Sequence, residues 1–517
     1  MTPALTREFA ENLDRDSDGS CTVEGGEILR LYPPSVCRHD DLLLFVFRAP
    51  TGRRLGVLSP RGSAPPRGFE TETGTALVDG SHFARGPLSH GNAEFLRSSI
   101  DWTSPRRIGR GRSFGLGDRL GLAGPAHLRA VAGTGLFPVL AQQSIRELER
   151  TGRTPDEVMD CATFAVFQEG YSDGFGADGD HLKTTRDIDR VLASGFLFFT
   201  FDPGDHVDNE ADHLEPAELA RRLAALPWSG LETSPERLLE DYGDREFRLT
   251  GGASLVGTSD EVRRAAVKYG KVLVQLRSLS EHLLRRAGRE SCQVEISVDE
   301  TEAVTTPFEH FLLVRELRRL GVPIDSLAPR FVGRFEKGVD FRGDLAEFEA
   351  QFARHVAVRD SFGGYRLSLH SGSDKFSIYP IFARLGGEQI HVKTAGTSYL
   401  EALRALLRID PDLFAEIWRF SRASYERARA SYHVSADLDR VPESADPDPE
   451  VCDEQVRTND DLRQVLHVAF GDVLTSVTSD GGSRFRTRLL GALDGHEEIH
   501  FRCLGEHFER HFRAFRK

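Results

Sequence analysis

The sequence predicts an α/β protein: a (β/α)8 TIM-like barrel with an N-terminal β-containing extension and a C-terminal helical region. Three observations carry this. From about residue 110 to 400, short apolar runs alternate with amphipathic stretches, the pattern of parallel strands joined by helices. Eight such runs fit in that length, which favours a closed barrel over an open sheet. Two histidine-bearing segments, around His181 and His370, lie far apart in the chain, and a fold that converges strand ends would unite them.

Residues 1–105 read as an accessory region in which runs 41–47 and 54–58 are strands joined by a turn at Pro50-Thr51-Gly52. The barrel is assigned to 106–405, with strands at 113–116, 139–142, 164–168, 196–201, 294–298, 331–335, 366–369 and 389–393. Helical stretches at 144–151, 307–320, 345–358 and 399–407 fall between or after them, and 203–216 is a polar connection. Residues 406–517 are the helical region, with helices at 411–432, 460–474 and 496–515 and a proline- and acid-rich linker at 437–453.

The net charge of -14 argues against a nucleic-acid groove, and the cluster Arg106, Arg107, Arg110 and Arg112 reads as a solvated loop. Six cysteines lie scattered without CxxC spacing, which implies free thiols in a reducing compartment. No apolar run approaches the ~18 residues of a membrane span. The expectation is a cytoplasmic protein with no membrane or nucleic-acid partner and a small-molecule substrate, with homo-oligomerisation left open.

Asp14-Arg15-Asp16-Ser17-Asp18-Gly19 opens like a calcium loop, but Gly25 stands where a bidentate glutamate is needed, so an acidic turn is expected. Gly115-Leu116-Gly117 is half of a dinucleotide fingerprint and reads as a tight turn. Asp180-His181-Leu182-Lys183 joins a base, a metal ligand and a cation behind Gly174, Gly176 and Gly179. His370 follows an apolar run and precedes Ser371-Gly372-Ser373, whose hydroxyl and N–H groups suit an anionic substrate. Glu295 sits inside a strand, where an unpaired carboxylate is costly unless it faces the barrel mouth. Glu336 would complete a two-histidine, one-carboxylate metal set, with His310 as its rival. Lys393 precedes a small-residue turn and a helix start, an anion site for carboxylate or phosphate.

As an ordered set, these motifs resemble the tagaturonate epimerase family. The similarity runs through Ser113-Phe114-Gly115-Leu116-Gly117-Asp118-Arg119-Leu120, Gln142-Gln143-Ser144, Asp180-His181-Leu182-Lys183-Thr184, Glu295-Ile296-Ser297-Val298-Asp299-Glu300, Arg334-Phe335-Glu336-Lys337-Gly338 and Leu369-His370-Ser371-Gly372-Ser373-Asp374-Lys375. It spans roughly 105–405 and implies a metal-dependent enzyme interconverting D-tagaturonate and D-fructuronate. It further implies Asp180 as proton acceptor, Glu295 as proton donor, and His181 and His370 as ligands of a divalent cation (zinc, manganese, nickel or cobalt). Lys183, Ser371 and Lys393 are the substrate-binding candidates. Class II metal-dependent aldolases share the Asp-His pair and the Leu-His-Ser-Gly-Ser turn more distantly, so an aldolase, or an epimerase acting on another acidic ketose, is the alternative.

The two keto acids differ at a carbon β to the ketone, whose proton no adjacent carbonyl acidifies. Retro-aldol cleavage and re-addition is therefore the expected route, with a metal as Lewis acid.

Overall fold

The computed structural model describes residues 2–23, 25–394 and 396–516. Among these, eight parallel strands close into a barrel whose neighbour order follows the chain: β1 (Ser113–Gly115), β2 (Phe137–Ser144), β3 (Gly176–Leu182), β4 (Phe198–Phe201), β5 (Gln293–Ser297), β6 (Ser326–Ala328), β7 (Arg366–Leu369) and β8 (Ile390–Lys393). The expected (β/α)8 architecture is what the chain adopts. Upstream lies a separate antiparallel sheet, built around the hairpin of Leu42–Ala49 and Gly52–Ser59. Gly52, at φ +109°, takes the left-handed turn position within the predicted Pro50-Thr51-Gly52 turn.

Two strand assignments need correction. The run 164–168 belongs to the helix Pro155–Gln168, which starts at a capping box between Thr154 and Glu157. This helix is buried on two sides. Phe164 and Phe167 pack into the N-terminal sheet's core while Val158, Met159, Ala162 and Val166 join the barrel core. The helical period is thereby masked and the run reads as a strand. The true third strand is Gly176–Leu182, which shows no apolar alternation because nearly every residue of it is buried. Its Gly179 is required by close packing, since a Cβ there would sit 2.8 Å from Cγ2 of Val191 on the next helix.

The run 331–335 is likewise no strand. The sixth strand is the three residues Ser326–Ala328, ended by Pro329. Beyond it a loop covers the strand's C-terminal end, and in this loop and the helix it enters Phe331, Phe335, Phe341 and Phe348 pack on one another. Gly333, at φ +94°, turns the chain so that Arg334 and Arg342 pair across the loop.

Between β4 and β5 the chain makes a long excursion ending in the 29-residue helix Ser259–Ala287. The polar connection at 203–216 contains two 3-10 turns, one of which packs on this helix through the Lys268 ammonium, 3.1 Å from Asp212 and 2.8 Å from Glu309. After β8 the chain is helical, as expected, and its last long helix, Glu497–Phe512, packs on Gly124–Val131 and Thr397–Ile409. Phe512 and Phe515 meet the β1 residue Phe114 edge-on, at 5.1 and 4.9 Å between ring centroids. Arg112 also donates to the Phe515 carbonyl at 2.7 Å. The C-terminal region thus helps to wall the barrel. No helix among the described residues is long and apolar enough to cross a membrane, and the six cysteines are free.

Phe512 is fully buried, so Phe512→Ala is expected to lower stability by roughly 3–5 kcal/mol and depress Tm measurably. Val477→Ala, at a 65 % exposed position, should shift Tm little. Equal shifts in thermal melts would contradict the role given to the C-terminal helix.

Candidate active site

Parallel strands in matched register bring inward-facing residues of neighbouring strands side by side. Thr200 on β4 pairs with Glu295 on β5, and Glu295 with Ser326 on β6. Asp178 and Asp180 stand two apart on β3 and therefore share a face. Asp178, Asp180, Thr200 and Glu295 surround the Lys393 ammonium at the end of β8. Nζ lies 2.7 Å from Asp178, 2.7 Å from Asp180 and 2.8 Å from Glu295, and it donates to Thr200 Oγ1 at 2.7 Å. Glu295 also accepts from Ser326 Oγ at 2.5 Å, and Asp180 from Gln142 Nε2 at 3.0 Å.

In an uninterrupted strand His181 would face away from Asp180. Here β3 bulges: its register against β4 shifts between Gly179 and Leu182, and His181 takes φ +52°. A bulge re-aims a side chain, and this one brings the imidazole round to the mouth of the barrel. His370 follows β7 and is itself followed by Ser371 at φ +49°. The two imidazole rings lie 5.3 Å apart at a steep angle.

Each histidine is oriented by carboxylates. His181 Nδ1 is 3.2 Å from Asp202, which follows β4, and its Nε2 is 3.9 Å from Asp180. His370 Nδ1 is 3.0 Å from Asp299 and its Nε2 is 2.6 Å from Glu295. Burial alone would favour the neutral rings, but the surrounding acids dominate. The acids, Asp180 foremost, push His181 up to about 10, and Asp299 and Glu295 push His370 up to about 9. Burial would likewise raise the acids, yet Lys393 and the two histidines hold Asp180 below the usual carboxylate range, and Lys393 and His370 do the same for Glu295. Asp178 goes the other way. Burial and its acidic neighbours outweigh Lys393, and its carboxyl rises to about 7.

Asp180, His181 and His370 present one donor atom each within 4.8 Å of one another, as do His181, Asp202 and Glu300. Two imidazoles and a carboxylate, each imidazole backed by a second carboxylate, form a donor set that fits a divalent cation. The buried Asp374, His507 and His511 are equally close, but both ring nitrogens of His511 are taken by backbone groups. His511 Nε2 accepts from the Asp374 N–H at 3.0 Å, and its Nδ1 donates to the His507 carbonyl at 2.9 Å.

Of the sequence candidates, Asp180, His181, Glu295, His370 and Lys393 converge. Lys393 is engaged with carboxylates below the mouth, which leaves its ammonium little capacity for a substrate anion. Ser371 lines a cavity of about 400 Å³ together with His370, and it accepts from Lys337 Nζ at 2.8 Å. Lys183 lines a neighbouring cavity of about 240 Å³ with His181 and pairs with Asp205 at 2.8 Å. Glu336 borders the larger cavity but joins neither donor group. Its carboxylate accepts from Ser435 at 2.6 Å and Gln464 at 2.8 Å and lies 3.3 Å from Arg342. His310 is buried in its helix against His355 and Tyr365.

Sequence reasoning did not single out Asp178, Asp202, Asp299 or Thr200. Asp178 was legible from its spacing of two from Asp180, whereas Asp202 and Asp299 carried no signal beyond their places just past strand ends.

The tagaturonate epimerase family model matches residues 32–515. A tagaturonate/fructuronate epimerase from Thermotoga maritima is 39% identical over 494 residues, covering 94% of this chain and 97% of that protein. Among solved structures, a glycerol complex of the fructuronate-tagaturonate epimerase UxaE from Cohnella laeviribosi superimposes with TM-score 0.88 at 36% identity, covering 94% of this chain and 96% of that one. The native form of that enzyme gives TM-score 0.86 at 37% identity with the same coverage. With a barrel whose mouth gathers Asp180, His181, Glu295 and His370, and with similarity that spans nearly the whole chain, this protein belongs to the tagaturonate epimerase family.

Proposed function

We propose that this chain interconverts D-tagaturonate and D-fructuronate by retro-aldol cleavage and re-addition, assisted by a divalent cation. The observation that carries the reading is the pair of carboxylates, Asp180 and Glu295, joined through one ammonium directly beneath two histidines. The relatives' names supply the substrate pair.

His181, His370 and Asp180 would hold the cation. Asp180 takes the place in this set that residue type alone offered to Glu336, because Glu336 is turned toward Arg342, Ser435 and Gln464. When bound, the cation polarises the ketone. Asp180 has two oxygens, so holding a cation and accepting a proton are compatible roles.

Asp180, held ionised, takes the proton of the hydroxyl β to the ketone. The C–C bond between the α and β carbons breaks, its electron pair passing into an enediolate while the β carbon becomes an aldehyde. The aldehyde presents its other face, the bond re-forms, and the new alkoxide takes a proton from Glu295. Glu295 is itself held ionised at rest, so its proton must reach it during the cycle. Lys393 is bonded to both carboxylates and provides the route: it receives the proton that Asp180 gained and passes another to Glu295 without involving bulk water.

Incubation of the cation-loaded protein with D-fructuronate is expected to yield D-tagaturonate by NMR, with no accumulation of three-carbon fragments. In deuterated water the inverted carbon should carry no solvent deuterium, and deuterium at that carbon would contradict the retro-aldol route. His181→Ala and His370→Ala should each lose bound cation by elemental analysis and lower turnover by at least ~100-fold, in the range of a lost catalytic group. Full activity in either variant would remove it from the site.

A further inference from the structure

Four arginine and lysine side chains line the larger cavity: Arg146, Arg330, Arg334 and Lys337. Two are matched by acids, Arg146 with Glu300 at 2.8 Å and Arg334 with Glu336 at 3.8 Å. Lys337 donates to the Ser371 hydroxyl and has no carboxylate within 4 Å among the described residues. Arg330 has none either, and its Nε is buried without a hydrogen-bond partner.

Arg330 is held in place from its backbone. Its N–H donates to Thr305 Oγ1 at 3.1 Å, and its carbonyl accepts from the Thr305 N–H at 2.9 Å. It stands two residues past the end of β6, on the same barrel face as His370. Burial lowers its pKa, and Asp299 offsets this in part. A half-buried guanidinium without a counter-ion is costly. That cost is relieved when a ligand brings the anion, and a guanidinium fork matches a carboxylate in a bidentate way that an ammonium does not. The cavity's volume falls in the range of small-ligand sites.

We infer that Arg330, with Lys337 beside Ser371, binds the carboxylate of the acidic sugar and makes the site selective for uronates over neutral ketoses. The inference rests on the proposed function for the identity of the sugar.

The test is calorimetric titration of the full-length protein with D-fructuronate and with D-fructose, its counterpart carrying a hydroxymethyl in place of the carboxylate. Arg330→Gln is expected to weaken D-fructuronate binding by roughly 10–100-fold, the loss of a charge-assisted hydrogen bond, and to leave the response to D-fructose unchanged. Arg330→Lys should recover part of the loss. D-Fructuronate affinity within about twofold of wild type, or equal losses for both sugars, would overturn the assignment. So would a wild-type protein that does not bind D-fructuronate. If Arg330→Gln does not fold, Lys337→Met carries the same comparison. Binding that depends on Arg330 but yields no D-tagaturonate would overturn the proposed function and leave the carboxylate site standing.

Discussion

The site depends on one ammonium group enclosed among acids inside the barrel. Lys393 Nζ touches Asp178, Asp180 and Glu295, with Lys393 itself only 3 % exposed and Asp178 and Glu295 fully buried. Taking such charges out of water costs several kcal/mol each, and that cost is met only if the charges pair closely and their remaining hydrogen bonds are satisfied. Thr200, Ser326 and Gln142 supply those hydrogen bonds from β4, β6 and β2. Most barrels fill their interior with branched apolar side chains. Here the layer beneath the mouth is an ion cluster instead, and the strands must hold their register for it to exist.

That cluster sets the chemistry above it. Because Lys393 compensates Asp180 and Glu295, both remain ionised in a buried setting, and both lean on histidines that further acids keep oriented. The backbone contributes through left-handed conformations at His181 and Ser371, uncommon for residues with a Cβ and characteristic of places where function dictates geometry. The wall of the larger cavity comes from two further sources. The loop after β6 supplies Arg330, Glu336 and Lys337, and the chain beyond the last barrel helix supplies Tyr432 to Ser435. The helical region is thus part of the pocket as well as a brace for β1.

The barrel was legible because its strands are short apolar runs at helix-length spacing. The two failures have physical causes. Helix Pro155–Gln168 is buried on both faces, which erases its period, and β6 is too short to announce itself beside the more apolar 331–335. The third strand carries no apolar alternation, yet the Asp-His segment that marked it as chemically interesting is what forms it. In the site, Asp180, His181, Glu295 and His370 were readable from residue type and strand-end position. Their carboxylate partners Asp202 and Asp299 were not, because an acid past a strand end resembles any loop acid until the closed barrel sets strand three beside strand four and strand five near strand seven. The deep placement of Lys393 was also hidden, since its neighbours come from β3 and β5, far away in the chain.

The most direct test of the ammonium's role compares Lys393→Met with the double variant Asp178→Asn, Lys393→Met. Removing the ammonium alone leaves buried carboxylates uncompensated and should lower stability by roughly 3–5 kcal/mol. Neutralising Asp178, the acid already closest to losing its charge, should recover much of the thermal stability. The expected result is a folded double variant whose turnover of D-fructuronate is reduced by at least ~100-fold, because the link between Asp180 and Glu295 is gone. A folded double variant with wild-type turnover would show that the ammonium serves the fold alone and would contradict its place in the chemistry.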